Sequence, residues 1–311
     1  MTQGIPRIGW INCYPAAMNM VEGCALGDLT ALAIRLTDAG AGDYWDDVDA
    51  VVRNHLVEQQ VTRRDLLERV VAASVEYPPA EAKYPGMRCT DNVIERSLGI
   101  FFGMSFPNTV PRPWSMVCCT GNGTQGLYYA WEGALREEAD TAQVNLLLNR
   151  RSRLLDVESH LPYEGKVVIR NKTASRITVR MPVWVDRRAI RATVAAGGPV
   201  STKEAAKREE PRHIDLDWVS NRLVFSRLAA PCVITIIFPV RESTASYTVN
   251  ANSDREQVYS CTFRGSTLVD ISPKDADPRN YPLYLREHMR NDTAVMKEAE
   301  VFVPETVVRD W

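Results

Sequence analysis

The sequence is poor in histidine and in long apolar runs, and its first stretch has no acidic residue. Only four histidines occur among 311 residues, and none pairs with another at the spacing of metal ligands, so a histidine-based zinc site is not expected. No apolar run approaches the ~20 residues of a membrane-spanning helix, and the N-terminus has no apolar signal-peptide core. The first acidic residue is Glu22.

An excess of positive charge is absent too. The 37 Lys and Arg residues almost balance the 39 Asp and Glu residues, which gives a formal net charge of -2. Neither a nucleic-acid partner nor an anionic-membrane partner is therefore expected. The 45% of apolar residues is enough for hydrophobic cores, and the length predicts roughly two domains. If Met1 is the true start, we expect a cytoplasmic protein; otherwise the compartment stays open.

The cysteines follow neither a disulfide pattern nor a zinc-ribbon pattern, since their number is odd and no Cys-x-x-Cys is present. In a chain of this size, that argues for reduced thiols, some of them on a metal. Apart from Cys24 and the adjacent pair, we interpret them as packed or incidental thiols. The seven cysteines are Cys13, Cys24, Cys89, Cys118, Cys119, Cys232 and Cys261.

The adjacent pair Cys118-Cys119 is hard to explain as packing alone, because neighbouring side chains cannot both enter one small core pocket. Gly121, Asn122 and Gly123 follow and predict a bend that turns both thiols toward one metal ion. The apolar helical pattern after the bend places the thiols at or just before a helix N-terminus, where the helix dipole lowers a thiol pKa. Two ordinary half-buried cysteines are the alternative.

A second half of a ligand set opens the first predicted helix, at Glu22-Gly-Cys24. Residues two apart on a helix point about 200° apart, so this pair must lie on the entry turn to converge. With Cys118 and Cys119 it makes one carboxylate and three thiolates, a set that suits tetrahedral Zn²⁺. The spacing matches no zinc ribbon, and the residues alone do not bring the halves together. The residues alone are therefore compatible with a zinc site and also with cysteines that only pack in the protein interior.

The period of the apolar residues changes at about residue 142. Before it, helical spacing predicts about five helices, with Trp45 and Leu56 on an inner face and the last helix ending at Asp140. Asn54 and His55 fall near a helix end, where a cap or a charge partner is expected. After the change, alternating runs predict strands and a β-sandwich. The clearest runs are 166–170, 176–183, 222–226 and 232–238.

Four stretches of the sequence carry a family resemblance. They are Glu22-Gly-Cys-Ala-Leu-Gly-Asp-Leu-Thr; Cys118-Cys-Thr-Gly-Asn-Gly-Thr-Gln-Gly-Leu-Tyr-Tyr; Asn145-Leu-Leu-Leu with Leu161-Pro-Tyr-Glu-Gly; and Arg180-Met-Pro-Val-Trp. Together they resemble glycoside hydrolase family 127, the β-L-arabinofuranosidase-like proteins. The combination of Glu-x-Cys with the cysteine pair is specific, and the strand motifs support it. The resemblance covers most of the chain and weakens after about residue 245.

The resemblance implies an α+β multidomain fold: the C-terminal part of an (α/α)6 barrel, then a β-sandwich, then a short β-rich tail. We expect residues 1–140 to be a partial α/α-barrel catalytic region, 141–242 the β-sandwich domain and 243–311 a partial C-terminal β-rich module. Because the family's barrel has more helices than this sequence predicts, an N-terminally truncated member is expected. A gene fragment, a misassigned start and a split protein completed by a partner chain each fit.

The resemblance also implies a retaining glycosidase that acts on an arabinofuranoside-type carbohydrate. In the family, Glu-x-Cys and both cysteines of the pair surround a zinc ion, which assigns Glu22, Cys24, Cys118 and Cys119 to Zn²⁺ here. The first cysteine of the pair is the nucleophile, which is Cys118 in this chain. The family's proton donor is a glutamate shortly upstream of Glu-x-Cys, but residues 1–21 contain no acidic residue. The substrate-binding residues stay unknown.

Two other classes of function stay open. A barrel remnant that binds carbohydrate or has a structural role, with or without zinc, is the main alternative, because the proton donor is not found. A thiol redox protein that uses Cys118-Cys119 is the other. It is disfavoured because a disulfide between adjacent cysteines is strained and no Cys-x-x-Cys motif is present.

Overall fold

The computed structural model describes residues 4–13, 19–75, 92–197 and 211–295, and these contain both helices and strands. The mixed α+β class expected from the sequence is confirmed in this coarse form. None of the helices in these ranges is both long and apolar enough to cross a bilayer. A π-helical turn, Val51–Leu56, continues the second helix. The α-helices are α1 (Gly23–Asp38), α2 (Trp45–Ala50), α3 (Arg64–Ala73), α4 (Val93–Ser97) and α5 (Val117–Ala134).

Twenty strands are present in the described ranges, and many of them have only two residues. The first ten are β1 (Gly4–Ile5), β2 (Trp10–Ile11), β3 (Val21–Glu22), β4 (Met104–Ser105), β5 (Thr109–Val110), β6 (Leu135–Glu138), β7 (Thr141–Val144), β8 (Arg150–Arg151), β9 (Leu155–Ser159) and β10 (Lys166–Asn171). The others are β11 (Arg176–Arg180), β12 (Arg191–Ala196), β13 (Arg212–His213), β14 (Asp217–Val219), β15 (Arg222–Ser226), β16 (Cys232–Ile237), β17 (Glu242–Val249), β18 (Gln257–Arg264), β19 (Thr267–Ser272) and β20 (Tyr281–Pro282).

The chain divides into two compact units. The first unit is Met1–Ala130 with Glu242–Glu287, and the second is Trp131–Arg241 with His288–Trp311. All five helices begin in the first unit, which also holds the three-stranded sheet β17-β18-β19. The division of the sequence into barrel region, sandwich and C-terminal module stays a prediction.

The second unit contains two sheets, as the alternating runs predict. One has six strands in the order β13-β12-β16-β10-β9-β8, and the other has five in the order β14-β15-β11-β7-β6. Alternate residues are buried in several strands, for example Ile177 and Val179 of β11, Leu223 and Phe225 of β15 and Ile234 and Ile236 of β16. These side chains belong to one hydrophobic cluster that draws on both sheets, so the period-2 pattern identifies the core face of these strands correctly.

The predicted end of the last helix is wrong. Helix α5 ends at Ala134, and Leu135–Glu138 forms strand β6 instead of continuing to Asp140. Strand β6 pairs with β7 across a two-residue connection, in which Ala139 has a φ of 52°. Pairing with β7 provides hydrogen-bond partners for the backbone N–H and C=O groups of this segment. The spacing of apolar residues along the sequence does not show that such a neighbouring strand exists.

In the first unit, the inner face of the helical stretch from α2 onward is confirmed. Trp45, Val48 and Leu56 are fully or almost fully buried. The backbone N–H of Trp45 donates to a side-chain oxygen of Asp43 at 3.1 Å, which satisfies one of the amide groups left unpaired at the helix start. This stretch contacts α1 and strand β19 of the three-stranded sheet.

Two glycines let α1 and α5 approach each other closely. A Cβ atom added to Gly126 would lie 2.8 Å from the Cα of Gly27, and one added to Gly27 would overlap the backbone oxygen of Asn122. Both contacts involve backbone, which cannot move aside as a side chain can. Because α1 and α5 carry the two halves of the predicted ligand set, this crossing brings the halves together.

Substitution of Gly27 by alanine should therefore destabilise the protein by about 3 kcal/mol, the upper end for overpacking, because the new methyl group meets backbone. Chemical denaturation measures this change. Gly121→Ala on α5 is the matched control: nothing lies within 4 Å of its added Cβ, so it should be neutral or stabilise by up to about 1 kcal/mol. Equal free energies of unfolding for the two variants would contradict the crossing.

Candidate metal centre

The first half of the ligand set lies where a strand meets a helix. Glu22 ends β3, with extended backbone (φ -85°, ψ 138°), and stands just before α1. Strand β3 pairs with β4, and the N–H of Gly23 donates to the backbone oxygen of Gly103 at 3.0 Å. Cys24 is the second residue of α1. Because Glu22 is not helical, its side chain can converge with that of Cys24, as the sequence requires of an entry turn.

The second half lies in the first turn of α5. Cys118 and Cys119 are the second and third residues of this helix, so their predicted place at a helix N-terminus is confirmed. The predicted bend at Gly121, Asn122 and Gly123 is wrong, because these residues continue α5. Gly123 instead serves packing, since a Cβ added there would lie 2.5 Å from the ring of Phe101. Consecutive residues of a helix point about 100° apart, and the sulfurs of Cys118 and Cys119 are nevertheless 4.0 Å apart without a bend in the backbone.

The four donor groups converge although about one hundred residues separate the halves. All four ligand atoms, the carboxylate of Glu22 and the three sulfurs, lie within 4.8 Å of one another. The sulfurs of Cys24 and Cys119 are 3.4 Å apart, and those of Cys118 and Cys119 are 4.0 Å apart. The sulfur of Cys119 is also 4.0 Å from Oε1 of Glu22. Three thiols and a carboxylate at one point could hold a metal ion.

The thiols differ in their access to solvent. Cys118 is exposed, Cys24 is half-buried and Cys119 is fully buried. Burial raises the pKa of the Cys24 thiol, and the neighbouring thiols of Cys119 and Cys118 raise it further. Burial also raises the pKa of the Cys119 thiol. Desolvation of the thiolate is the largest cause of the raised pKa of Cys119, and the lowering of a thiol pKa by the helix terminus stays a prediction.

The donor set fits a tetrahedral Zn²⁺ ion. With zinc–sulfur bonds of about 2.3 Å, the ligand atoms at the corners of a tetrahedron are about 3.8 Å apart. Three of the six separations between ligand atoms, 3.4 Å and twice 4.0 Å, lie around this value, and all six are within 4.8 Å. A divalent cation also offsets the unfavourable burial of thiolate charge. Glu22, Cys24, Cys118 and Cys119 are therefore the residues that would hold the ion.

The other cysteines that the structure describes do not belong to this cluster. Cys232 and Cys261 are buried and Cys13 is half-buried, each as a free thiol, in agreement with their interpretation as packed residues. Cys89 lies outside the described residues. In the described part of the chain, Glu22 and the three clustered cysteines form the group that could hold a metal.

Sequence reasoning missed the polar side chains that support the cluster. Asn54 and His55, expected at a helix end, are both completely buried. The ring of His55 is hydrogen-bonded to the hydroxyls of Tyr284 and Ser105, each at 2.8 Å. Gln59 reaches the same serine, with Nε2 donating to Oγ at 2.6 Å. Local sequence gives no sign of this network, because its members come from three distant parts of the chain.

No protein-family profile and no curated protein matches the chain. Solved structures do match. The GH127 beta-arabinofuranosidase BT3674 aligns with 15% identity and a TM-score of 0.49, over 85% of this chain and 38% of that one. A glycoside hydrolase aligns with 15% identity and a TM-score of 0.46, over 79% and 37%. Ara127N-Se, a GH127 beta-L-arabinofuranosidase from Geobacillus stearothermophilus T6, aligns with 12% identity and a TM-score of 0.43, over 85% and 37%.

Two of these three structures are described as GH127 proteins, the family that the sequence motifs resemble. This chain spans at most 38% of the length of each matched structure.

Proposed function

We propose that this chain carries the zinc-thiolate centre of a retaining glycoside hydrolase of β-L-arabinofuranosidase type. The observation that carries the proposal is the convergence of Glu22, Cys24, Cys118 and Cys119, whose donor atoms lie within 4.8 Å of one another. Its support from the sequence is the combination of Glu-x-Cys with the cysteine pair. We also propose that the helical part belongs to an α/α barrel and that the two sheets of the second unit form a β-sandwich.

The differences in exposure support a division of roles among the thiols. Bound Zn²⁺ would keep sulfur in the thiolate form at neutral pH. Cys119 is buried and Cys24 half-buried, so a sugar cannot approach them as easily as it can approach the exposed Cys118. Cys118 is also preceded by Val117, whose side chain is 94% exposed. Cys118 is therefore the residue that we assign as nucleophile, and the other three residues hold the ion.

The chemistry proceeds in two displacements at the anomeric carbon. The sulfur of Cys118 forms a bond to this carbon while the glycosidic C–O bond breaks, and the bonding electrons leave with the oxygen, which takes up a proton. A water molecule then attacks the same carbon and loses a proton to solvent. The electrons of the breaking C–S bond return to sulfur, which restores the thiolate and releases the sugar. Two inversions give net retention of configuration.

The proton donor for the leaving oxygen is not assigned. General acid catalysis contributes about 10²–10⁴-fold to such reactions, and residues 1–21 contain no Asp or Glu. This feature favours the second candidate function, a carbohydrate-binding or structural protein that keeps the metal centre without turnover. An activated substrate separates the two, because a good leaving group needs little protonation.

The test uses the full chain loaded with Zn²⁺ and a nitrophenyl β-L-arabinofuranoside. We expect about one zinc per chain, release of nitrophenol, and a covalent sugar adduct on the peptide that contains Cys118, detected by mass spectrometry after an acid quench. Cys118→Ala should lose the adduct and at least about 10³-fold in kcat. Zinc binding without turnover or adduct would favour the non-catalytic function, and a chain that binds no zinc would contradict both the centre and its chemistry.

A further inference from the structure

Two thiols of the cluster are in contact although they come from different helices. The sulfurs of Cys24 on α1 and Cys119 on α5 are 3.4 Å apart, while the residues are 95 positions apart in the chain. The sulfur–sulfur bond of a disulfide is about 2.05 Å long. An approach of the two sulfurs by about 1.4 Å would therefore allow a bond between α1 and α5.

The backbone around these two cysteines keeps their sulfurs together. A Cβ atom added to Gly23, the residue before Cys24, would lie 3.1 Å from the Cβ of Cys119. The N–H of Gly23 and the sulfur of Cys119 also share the backbone oxygen of Gly103 as acceptor, at 3.0 and 3.5 Å. Reacting groups that a fixed backbone holds in contact react faster than the same groups on separate molecules.

The adjacent pair Cys118-Cys119 is less suited to a disulfide. Its sulfurs are 4.0 Å apart, and both residues belong to the first turn of α5. The Cα atoms of neighbouring residues are about 3.8 Å apart, whereas those of a disulfide are usually about 4.4–6.8 Å apart. A bond within the pair would therefore distort the start of α5, whereas a bond from Cys119 to Cys24 joins two helices that already touch.

Cys118 is the thiol of the cluster that a dissolved oxidant reaches most easily. It is exposed, whereas Cys24 is half-buried and Cys119 is buried. The sulfur of Cys118 lies within 4.8 Å of the sulfur of Cys24. Oxidation of an accessible cysteine first gives a sulfenic acid, which condenses with a neighbouring thiol to a disulfide. Oxidation can thus begin at Cys118 and pass to the two less exposed thiols.

We propose that the cluster is also a site of reversible oxidation, in which Cys118 receives the oxidant and Cys24 and Cys119 form the final disulfide. The proposal goes beyond the glycosidase chemistry and rests on the positions of the sulfurs, not on a bound metal. The disulfide removes two thiolates from the ligand set, so metal binding and the disulfide exclude each other. It also returns Cys118, the residue that we assign as nucleophile, to the thiol before irreversible oxidation.

The reaction with hydrogen peroxide has three steps. The sulfur of Cys118 forms a bond to one peroxide oxygen, the O–O bond breaks, and the leaving hydroxide takes up the thiol proton as water. The sulfur of Cys24 then attacks that of Cys118, the S–O bond breaks, and hydroxide leaves with the proton of Cys24 as a second water. Finally, Cys119 attacks the sulfur of Cys24, and Cys118 leaves as a thiolate that takes up the proton of Cys119. The two thiols together lose two electrons, which reduce one peroxide to two waters.

The test treats the full chain, reduced and freed of metal by a chelator, with a stoichiometric amount of hydrogen peroxide. Two of the seven thiols should disappear, and peptide mapping after alkylation should show Cys24 linked to Cys119, with Cys118 alkylated. The oxidised chain should bind no Zn²⁺, and dithiothreitol should restore both the thiols and Zn²⁺ binding. Cys13→Ser is the matched control, because Cys13 is a half-buried thiol outside the cluster. It should form the same disulfide.

Two variants test the order of the steps. In Cys24→Ser, oxidation should stop at the sulfenic acid of Cys118, which dimedone traps. In Cys118→Ser, peroxide should form the disulfide more slowly, because the remaining two thiols are less exposed.

The wild-type chain decides the inference even if a variant does not fold. If it keeps all its thiols, or if Cys118 ends in a disulfide or as a sulfinic acid, the inference is overturned. Zinc binding without the Cys24–Cys119 disulfide would leave the proposed function intact. The disulfide in a chain that binds no zinc would support the inference and overturn only the metal centre.

Discussion

Replacement of Cys119 by serine should abolish stoichiometric metal binding. A serine hydroxyl stays protonated at neutral pH and is a poor zinc ligand, so only Glu22, Cys24 and Cys118 would remain. Partners that merely orient a ligand contribute about 10–100-fold to metal affinity, and loss of a direct ligand should therefore cost at least about 100-fold. Metal analysis after desalting should give about one zinc for the wild type and none for the variant.

The same change should remove the stabilisation that the metal confers. A ligand at 1,000 times its dissociation constant stabilises the folded state by about 4 kcal/mol, so added Zn²⁺ should raise the Tm of the wild type and leave that of Cys119→Ser unchanged. Cys13→Ser is the matched control, because Cys13 is a free, half-buried thiol outside the cluster. One zinc per chain at wild-type affinity in Cys119→Ser would mean that the metal is bound elsewhere.

Replacement of Arg286 by alanine should destabilise the first unit by about 3–5 kcal/mol, the cost of breaking a buried ion pair from one side. The guanidinium of Arg286 is almost completely buried and lies 2.6 Å from Oε1 of Glu58. It also donates to the backbone oxygens of Leu268 and Arg53. Without Arg286, Oε1 of Glu58 and these carbonyl oxygens lose a donor, although Oε2 of Glu58 still accepts from the N–H of Tyr284. Water replaces the lost donor only in part.

Chemical denaturation followed by circular dichroism measures this effect. Arg279→Ala is the matched control, because Arg279 forms a partly exposed pair with Asp277 at 2.6 Å, and such pairs contribute about 0–1 kcal/mol. If both variants lose the same small amount of stability, water rather than Glu58 solvates the guanidinium of Arg286. In that case the network would not tie residues 268 and 286 to the helical stretch.

The donor types of the candidate centre could be predicted because they depend on local sequence. An adjacent cysteine pair before an apolar helical pattern indicates thiols in a first helical turn, and α5 begins at Val117, directly before them. Glu22 and Cys24 similarly mark the entry to α1. Helix starts are set by residues close in sequence, through backbone groups that lack partners within the helix.

The structural role of the glycines in α1 and α5 could not be predicted from the sequence, because it depends on which element of the fold packs against each glycine. Gly123 was expected to bend the chain, yet it lies within α5 and makes room for Phe101. Gly27 and Gly126 make room for backbone of the other helix. A glycine permits both unusual backbone angles and close packing, and only the position of the neighbouring element decides which of them is used.

The environment of His55 was also beyond local sequence. Its partner Tyr284 lies 229 positions further along the chain, in the part of the sequence expected to form a separate C-terminal module. From local sequence alone, a histidine near a helix end is compatible with a solvent-exposed cap. Burial by a distant segment instead favours a neutral imidazole ring that is hydrogen-bonded on both sides.

The sequence by itself determined the chemical identity of the site: three thiols and a carboxylate, each at the start of a helix, because helix boundaries and donor types are local properties. Only the tertiary structure decided that Glu22 and Cys24 meet Cys118 and Cys119, since that contact depends on the glycine crossing of α1 and α5 and on the segment at Gly103. Distances between parts of a chain that are remote in sequence are set by packing, and packing depends on every side chain in between.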